Sequence, residues 1–419
     1  MFTLFKENRM FRVLLAYQVF SGLGGAIFGI FMLLSVHLIY ENPIYTGIAG
    51  FLMTAPHIFS FMVGPVVDKG NKVLIMRLTT FLEFAVVGLL AFVPFQEYFG
   101  VWFMFSVIAI YSIAALFEGP AGLALLPQIV HEDKNMDAIS AINIAALVGG
   151  LGVAILLFSL IGDIGNLSLI FGISSGFLAV AIFISLFLKD PNARQAKEKR
   201  SLKIYLNDLK EAGNFVRKTV LLYITVFVVA KAFAIEVASI NMPEFAYNHA
   251  GAQGYILLAI MGVVGGIFAS SLVSAVGKKV RVGWLIFTLF VLAGAVRVVF
   301  VLLLPAHFIG GLGVLIVYTA LGGMLNMVHL SLRQRIPKKD MVGRVQTIST
   351  TVAAIFVAIG SLVGGFLGSI IPVVDHIFIY QGIAYAVIGF VVILVPSVRK
   401  LPTINEMKKD EDEELEVRS

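Results

Sequence analysis

A helix needs about 20 mostly apolar residues to cross a bilayer, and twelve such blocks fill most of this 419-residue chain. They run roughly Phe11–Tyr40, Thr46–Val67, Val73–Phe95, Trp102–Leu126, Ala138–Ile161 and Leu167–Leu188, then Val220–Met242, Tyr255–Val276, Val282–Leu304, Gly310–Leu332, Val345–Ile371 and Ile377–Val395. In lipid every backbone N–H and C=O must find a partner within the protein, which leaves helices or closed barrels. Barrel strands need only about 10 residues, so blocks this long predict helices. The expected fold is therefore an all-α membrane protein of twelve transmembrane helices. Composition agrees: 59% of residues are hydrophobic and 13% charged, against about 25% charged in soluble domains.

The charges lie in the short intervals between blocks. If the N-terminus is cytoplasmic, 29 of the 31 Lys and Arg residues fall on the cytoplasmic side, and the other two, Lys231 and Arg297, lie inside spans. This one-sided distribution is the positive-inside pattern and predicts an even number of spans with both termini cytoplasmic. The net charge of +6 thus points to the membrane surface as partner and not to nucleic acid. Without cysteine the chain has neither a disulfide nor a thiolate metal site. No metal or cofactor is expected. The first block is too long for a cleavable signal peptide.

One long polar interval, Lys189–Lys218, separates six blocks from six. The expected organisation is an N-terminal six-helix bundle over 1–188, a linker over 189–218, a C-terminal bundle over 219–396 and a charged tail over 397–419. Leu202, Tyr205, Leu206, Leu209 and Val216 among charges read as an amphipathic helix, either interfacial or a plain helical linker. The halves also match at a fixed offset. Leu126, Gln128 and Ile142 lie 206 residues before Leu332, Gln334 and Ile348, and Gly70-Asn-Lys-Val73 lies 207 before Gly277-Lys-Lys-Val280. Six spans per half then give two parallel pseudo-repeats, an architecture with its substrate path between the halves.

The interval after the second block reads Gly64-Pro-Val-Val-Asp68-Lys69-Gly70-Asn-Lys72. It resembles the Gly-x-x-x-Asp-Arg-x-Gly-Arg-Arg motif of the major facilitator superfamily, with Lys69 for the arginine and a loop about two residues shorter. The resemblance implies a cytoplasmic gate at Gly64, Asp68, Lys69, Gly70 and Lys72. Ala124-Leu-Leu-Pro127-Gln-Ile-Val130 and Ile336-Pro337 through Val342-Gly343-Arg344-Val345 resemble the macrolide and enterobactin exporters, adding Gly343 and Arg344 to the gate. Gly360-Ser-Leu-Val-Gly364-Gly365 is similar to the exporters' Gly-Pro-x-x-Gly-Gly motif, with serine for proline. The resemblance also implies a monomer.

The pairs Gly25/Gly29, Gly262/Gly266 and Gly360/Gly364 place small residues on one helix face, which permits close contact between helices. Pro56 and Pro120 could kink spans 2 and 4. Most of the 35 phenylalanines and 14 methionines face lipid, although such side chains also line pockets for varied lipophilic compounds.

Ionisable groups at mid-span cost at least about 2.5–3.5 kcal/mol and mark functional paths or internal pairs. The candidates are His57, Glu83, Glu118, Lys231, Glu236, Arg297 and His329, with Gln18, Asn143 and Asn326 as neutral polar positions. Glu118 leads: it lies two residues before Pro120, with no other charge within a turn. It reads as a proton-coupling or cation-recognising carboxylate, or else as a permanently paired charge. Lys231 and Glu236 are five residues apart, not stacked as an i,i+4 pair, so each is expected to meet another helix, with a Lys231–Glu118 link as one arrangement. His57 reads as a proton relay or a packing histidine. Glu83 and Arg297 read as structural pairs within their halves.

No Gly-x-x-x-x-Gly-Lys-Ser/Thr loop, His-Glu-x-x-His or Gly-x-Ser-x-Gly motif occurs, which disfavours an ATP-driven pump or an enzyme. The expected function is a secondary transporter of the bacterial cytoplasmic membrane, exporting lipophilic or cationic compounds in exchange for protons, with antibiotic efflux as the biological role. A carrier for one metabolite, metal chelate or lysolipid shares this fold. A non-transporting receptor or scaffold is the third reading, and the acidic run Asp410-Glu-Asp-Glu-Glu414 either binds a partner or is simply solvated.

Overall fold

A computed structural model describes residues 8–92, 100–131, 134, 138, 141, 142, 145, 149, 167–191, 202–276, 280–338, 341–404 and 406. Their regular structure is helical throughout. Ten of the described helical segments are long and apolar enough to cross a membrane, and a bent pair makes an eleventh if counted as one span. Most of the fifth expected block, with Asn143, Gly150 and Gly152, lies outside the described residues, as does the acidic tail. The chain forms two compact units, Met1–Arg200 and Ser201–Ser419.

The first unit opens with α1 (Arg9–Tyr40). The Asn8 side chain caps it, accepting the Phe11 N–H at 3.0 Å and donating to the Ile129 carbonyl at 2.6 Å. Its last turn closes at Glu41 in the left-handed region. The second span is built from α2 (Pro43–Thr54), a 3₁₀ turn (Ala55–Phe59) and α3 (Ser60–Lys69). Pro56, in that turn, has no N–H to offer a continuous helix. Next come α4 (Lys72–Phe92), α5 (Gly100–Ile129) and α6 (Leu167–Ser185). The helix assignment of α5 runs through Pro120 and Pro127. Helix α4 packs on α5 and α6, and α1 packs on α6, around a core that includes Phe11, Leu14, Tyr17, Met76 and Leu125.

The second unit begins with α7 (Leu202–Lys218), followed by α8 (Leu221–Ser239) and α9 (Met242–Val276). Gly251, at φ 63°, interrupts α9, and the two parts meet at 116°. A positive φ at this value suits glycine, which has no Cβ to clash. The polar run Asn248-His-Ala-Gly-Ala-Gln253 contains that break. Then follow α10 (Val282–Leu303), α11 (Phe308–Arg335), α12 (Val342–Ile370), α13 (Asp375–Leu394) and the short α14 (Pro396–Arg399).

Lipid tails are as apolar as leucine, so small residues and backbone proximity do much of the work of helix association. A Cβ at Gly364 of α12 would sit 2.7 Å from the Val237 carbonyl of α8, and one at Gly382 of α13 would sit 2.7 Å from the Gly294 carbonyl of α10. Gly262 and Gly266 differ from the sequence expectation: nothing lies within 4 Å of a Cβ at either. The outer faces are strongly apolar, with Phe92, Trp102, Ile309 and Leu394 each at least three-quarters exposed. A soluble protein avoids large apolar patches; here they form the lipid-facing surface.

Candidate functional site

The first unit builds a polar cluster where α1, α4 and α5 meet. Glu118 enters from α5, four residues after Ala114, and its side chain is half-buried. Tyr17 donates its hydroxyl to Glu118 Oε1 at 2.8 Å, and Ser21, one turn further along α1, donates to the same oxygen. Tyr17 Oη also lies 2.5 Å from Thr80 Oγ1 of α4. Thr80 in turn donates back to the Met76 carbonyl at 2.8 Å. The four-residue spacing of Tyr17 and Ser21 puts both hydroxyls on one face of α1. Gln18 lies with its amide against Gly122, one turn beyond Glu118.

Glu83 projects from α4 one turn beyond Thr80. It is 1% exposed, and both of its carboxyl oxygens lack a hydrogen-bond partner. It lies within electrostatic reach of Glu118, and Tyr111 of α5 is within reach of both. The Tyr111 ring stacks on Phe28, 3.9 Å between centroids. Among the described residues no basic side chain pairs with either carboxylate. Glu83 therefore departs from the expected structural ion pair. His57 is exposed in the 3₁₀ turn.

In the second unit Lys231, Glu236 and Arg297 are each met by neutral groups from another helix. Lys231 of α8, 3% exposed, donates to Asn326 Oδ1 of α11. Glu236 of α8 accepts from Ser361 Oγ of α12 at 2.8 Å. Arg297 of α10, 2% exposed, donates through Nε to Gln381 Oε1 at 2.8 Å. Its guanidinium also lies over the rings of Tyr318 and Phe378, 4.7 Å from each centroid. Such contacts stabilise a desolvated cation by about 2 kcal/mol. His329 is 1% exposed with neither ring nitrogen bonded.

In the first unit Asp68 and Lys69 are exposed, and nothing lies within 4 Å of a Cβ at Gly64; in the second unit the same is true of a Cβ at Gly343. A Cβ at Gly70 would meet Ile75. Lys72 is buried, and its backbone N–H is bound at 2.8 Å by the Asp190 carboxylate that follows α6. Arg77 donates to the Ser185 and Leu188 carbonyls at 2.8 and 3.1 Å. Arg344 reaches α7, with Asp208 at 3.3 Å and Glu211 at 3.8 Å.

Sequence reasoning missed Tyr17, Ser21, Thr80, Asp190, Ser361 and Gln381. Neutral hydroxyl and amide groups in apolar blocks carry little signal on their own. The one available clue was the i,i+4 placement of Tyr17 and Ser21.

The Major Facilitator Superfamily profile matches residues 14–360. A Bacillus subtilis (strain 168) protein described as an uncharacterized MFS-type transporter, YkuC, is 26% identical over 225 residues, 52% of this chain. The chain spans about half the length of that relative. The nucleoside transporter NupG superposes with a TM-score of 0.73 at 13% identity, covering 91% of this chain and 98% of that one. A D-xylose-proton symporter does so at 0.69 and 13% identity, covering 95% and 98%. At such identities the structures share the fold alone. The family match reaches from α1 into α12, and the all-helical architecture of apolar spans agrees with it. The chain belongs to the Major Facilitator Superfamily.

Proposed function

We propose that this transporter exports lipophilic or cationic small molecules in exchange for protons, with Glu118 as the coupling carboxylate. The observation that carries the reading is the setting of Glu118: it is half-buried, bound by two neutral hydroxyl donors, and without a basic partner among the described residues. A carboxylate locked to an arginine or lysine has little reason to release its charge. One held only by neutral donors can exchange between a proton and a cation. The export direction draws on the motifs around Pro127 and Pro337 that resemble macrolide and enterobactin exporters. The placement is the bacterial cytoplasmic membrane, with both termini in the cytoplasm and a monomer as the working unit. Lys231 and Glu236, each met by a single neutral side chain, are the second unit's candidates for substrate contact.

The test is proton movement in proteoliposomes on addition of ethidium, tetraphenylphosphonium or erythromycin, comparing wild type with Glu118→Gln. Flux evoked by several of these and reduced to background in the variant is the expected result. No flux from any compound would remove the broad-exporter reading in favour of a carrier for a single metabolite or lipid. Equal flux in both proteins would remove Glu118 from the mechanism.

A further inference from the structure

Two carboxyl groups share the interior of the first unit, and only one of them is built to be charged. Glu118 is half-buried and receives two O–H donors, Tyr17 and Ser21, on a single oxygen. Glu83 is sealed at 1% exposure and receives none. An ionised carboxylate without donors in a low-dielectric interior is costly by several kcal/mol, whereas its protonated form is far less so.

None of the described helices around Glu83 brings it a compensating charge. Helix α6 has no titratable residue anywhere in Leu167–Ser185. Helix α5 presents Glu118 and Tyr111, and α1 presents Tyr17. Arg77, nearly two turns back along α4, spends its guanidinium on the Ser185 and Leu188 carbonyls. Among the described residues, the only full charge within reach of Glu83 is therefore that of another carboxylate.

We propose that Glu83 and Glu118 form a carboxyl pair that keeps one resident proton on Glu83, so that only a second proton, that of Glu118, enters and leaves during transport. The proton count is simple. Loaded, the pair holds two protons and no charge. On release, the half-buried Glu118 gives one proton to water, the Tyr17 and Ser21 hydroxyls stabilise the single negative charge, and Glu83 retains the other proton. Two nearby carboxyls cannot both ionise cheaply, so their protons leave in two separated steps that belong to the pair. Glu83 thus holds the resident proton, and Glu118 alone is the coupling group. The inference rests on the proton-coupled reading of Glu118, and a measurement without substrate separates the two.

That measurement is an infrared pH titration of protonated carboxyl groups in purified protein, comparing wild type, Glu83→Gln, Glu118→Gln and the double variant. In Glu118→Gln a protonated carboxyl absent from the double variant should persist through neutral pH. In wild type, with Glu118 ionised beside it, the same carboxyl should hold its proton to a pH about one unit or more higher. In Glu83→Gln, which puts a neutral amide where a neutral acid stood, the Glu118 signal should titrate where it does in wild type, and proton flux in proteoliposomes with ethidium should survive with its pH profile in place. A Glu83 that ionises at the same pH with and without Glu118, or one already ionised at neutral pH in Glu118→Gln, overturns the pair. Loss of transport with the infrared signature intact would count against the transport reading alone.

Discussion

Tyr17 decides how Glu118 behaves, because one phenolic hydroxyl touches both the carboxylate and Thr80. A hydrogen bond to a charged group is worth about 1.5–3 kcal/mol. Tyr17→Phe removes that bond and leaves Ser21 as the remaining donor. The charged form of Glu118 loses support, so its proton should be kept to higher pH. Since one pH unit corresponds to about 1.4 kcal/mol, the pH profile of ethidium-evoked proton flux should move about one unit in the alkaline direction. Glu83→Gln should leave it in place, because a neutral amide replaces a neutral acid. A shift at Tyr17 with none at its neighbour Glu83 is hard to produce by general damage, and equal shifts from both would defeat this account of the cluster. The charged members of the cluster were legible in the sequence because an ionisable residue in an apolar block is conspicuous. Their separation of 35 positions along the chain gave no hint that Glu83 and Glu118 would meet, and the hydroxyls that solvate Glu118 look like ordinary small polar residues.

Helices are placed by backbone approach more than by apolar area, and the glycines show where. Gly364 sits against the α8 backbone, with the Val237 carbonyl 2.7 Å and its Cα 3.0 Å from a would-be Cβ. Neither obstacle is a flexible side chain that could turn aside. Gly364→Leu should cost about 1–3 kcal/mol or more, lowering the melting temperature of the detergent-solubilised protein by about 2–4 °C per kcal/mol. Gly262→Leu is the matched control: it is also helical, but nothing surrounds its Cβ position. Its melting temperature should stay at or above the wild-type value, since leucine favours a helix over glycine. A Gly262→Leu protein as damaged as Gly364→Leu would show that the close crossing of α8 and α12 is not what the glycine protects. At this scale the sequence was legible where blocks were long and uninterrupted, as in α1 and α10. It was less so at the second span, where Pro56 sits in a 3₁₀ turn between two helices. It missed the first part of α9 altogether, because Met242–Gly251 carries too many polar residues to read as membrane.

The proposed orientation of the whole molecule rests on its charges, and α11 offers a direct check. Its Phe308 end follows the exposed His307, and its Arg335 end carries the exposed Gln334, just inside the basic interval of Arg333 to Arg344. Lys and Arg resist transfer across the membrane and collect on the cytoplasmic side. The proposed orientation therefore puts Gln334 in the cytoplasm and His307 outside. Because the chain has no cysteine, Gln334→Cys and His307→Cys would each carry a single thiol. A membrane-impermeant maleimide added to intact cells should label His307→Cys and spare Gln334→Cys until the membrane is permeabilised. The opposite pattern would invert the topology: protons would still move down the gradient that the membrane maintains, but the interval around Asp68 and Lys69 could no longer be a cytoplasmic gate. The two ends of one helix thus connect a count of lysines and arginines to the side of the membrane on which that gate lies.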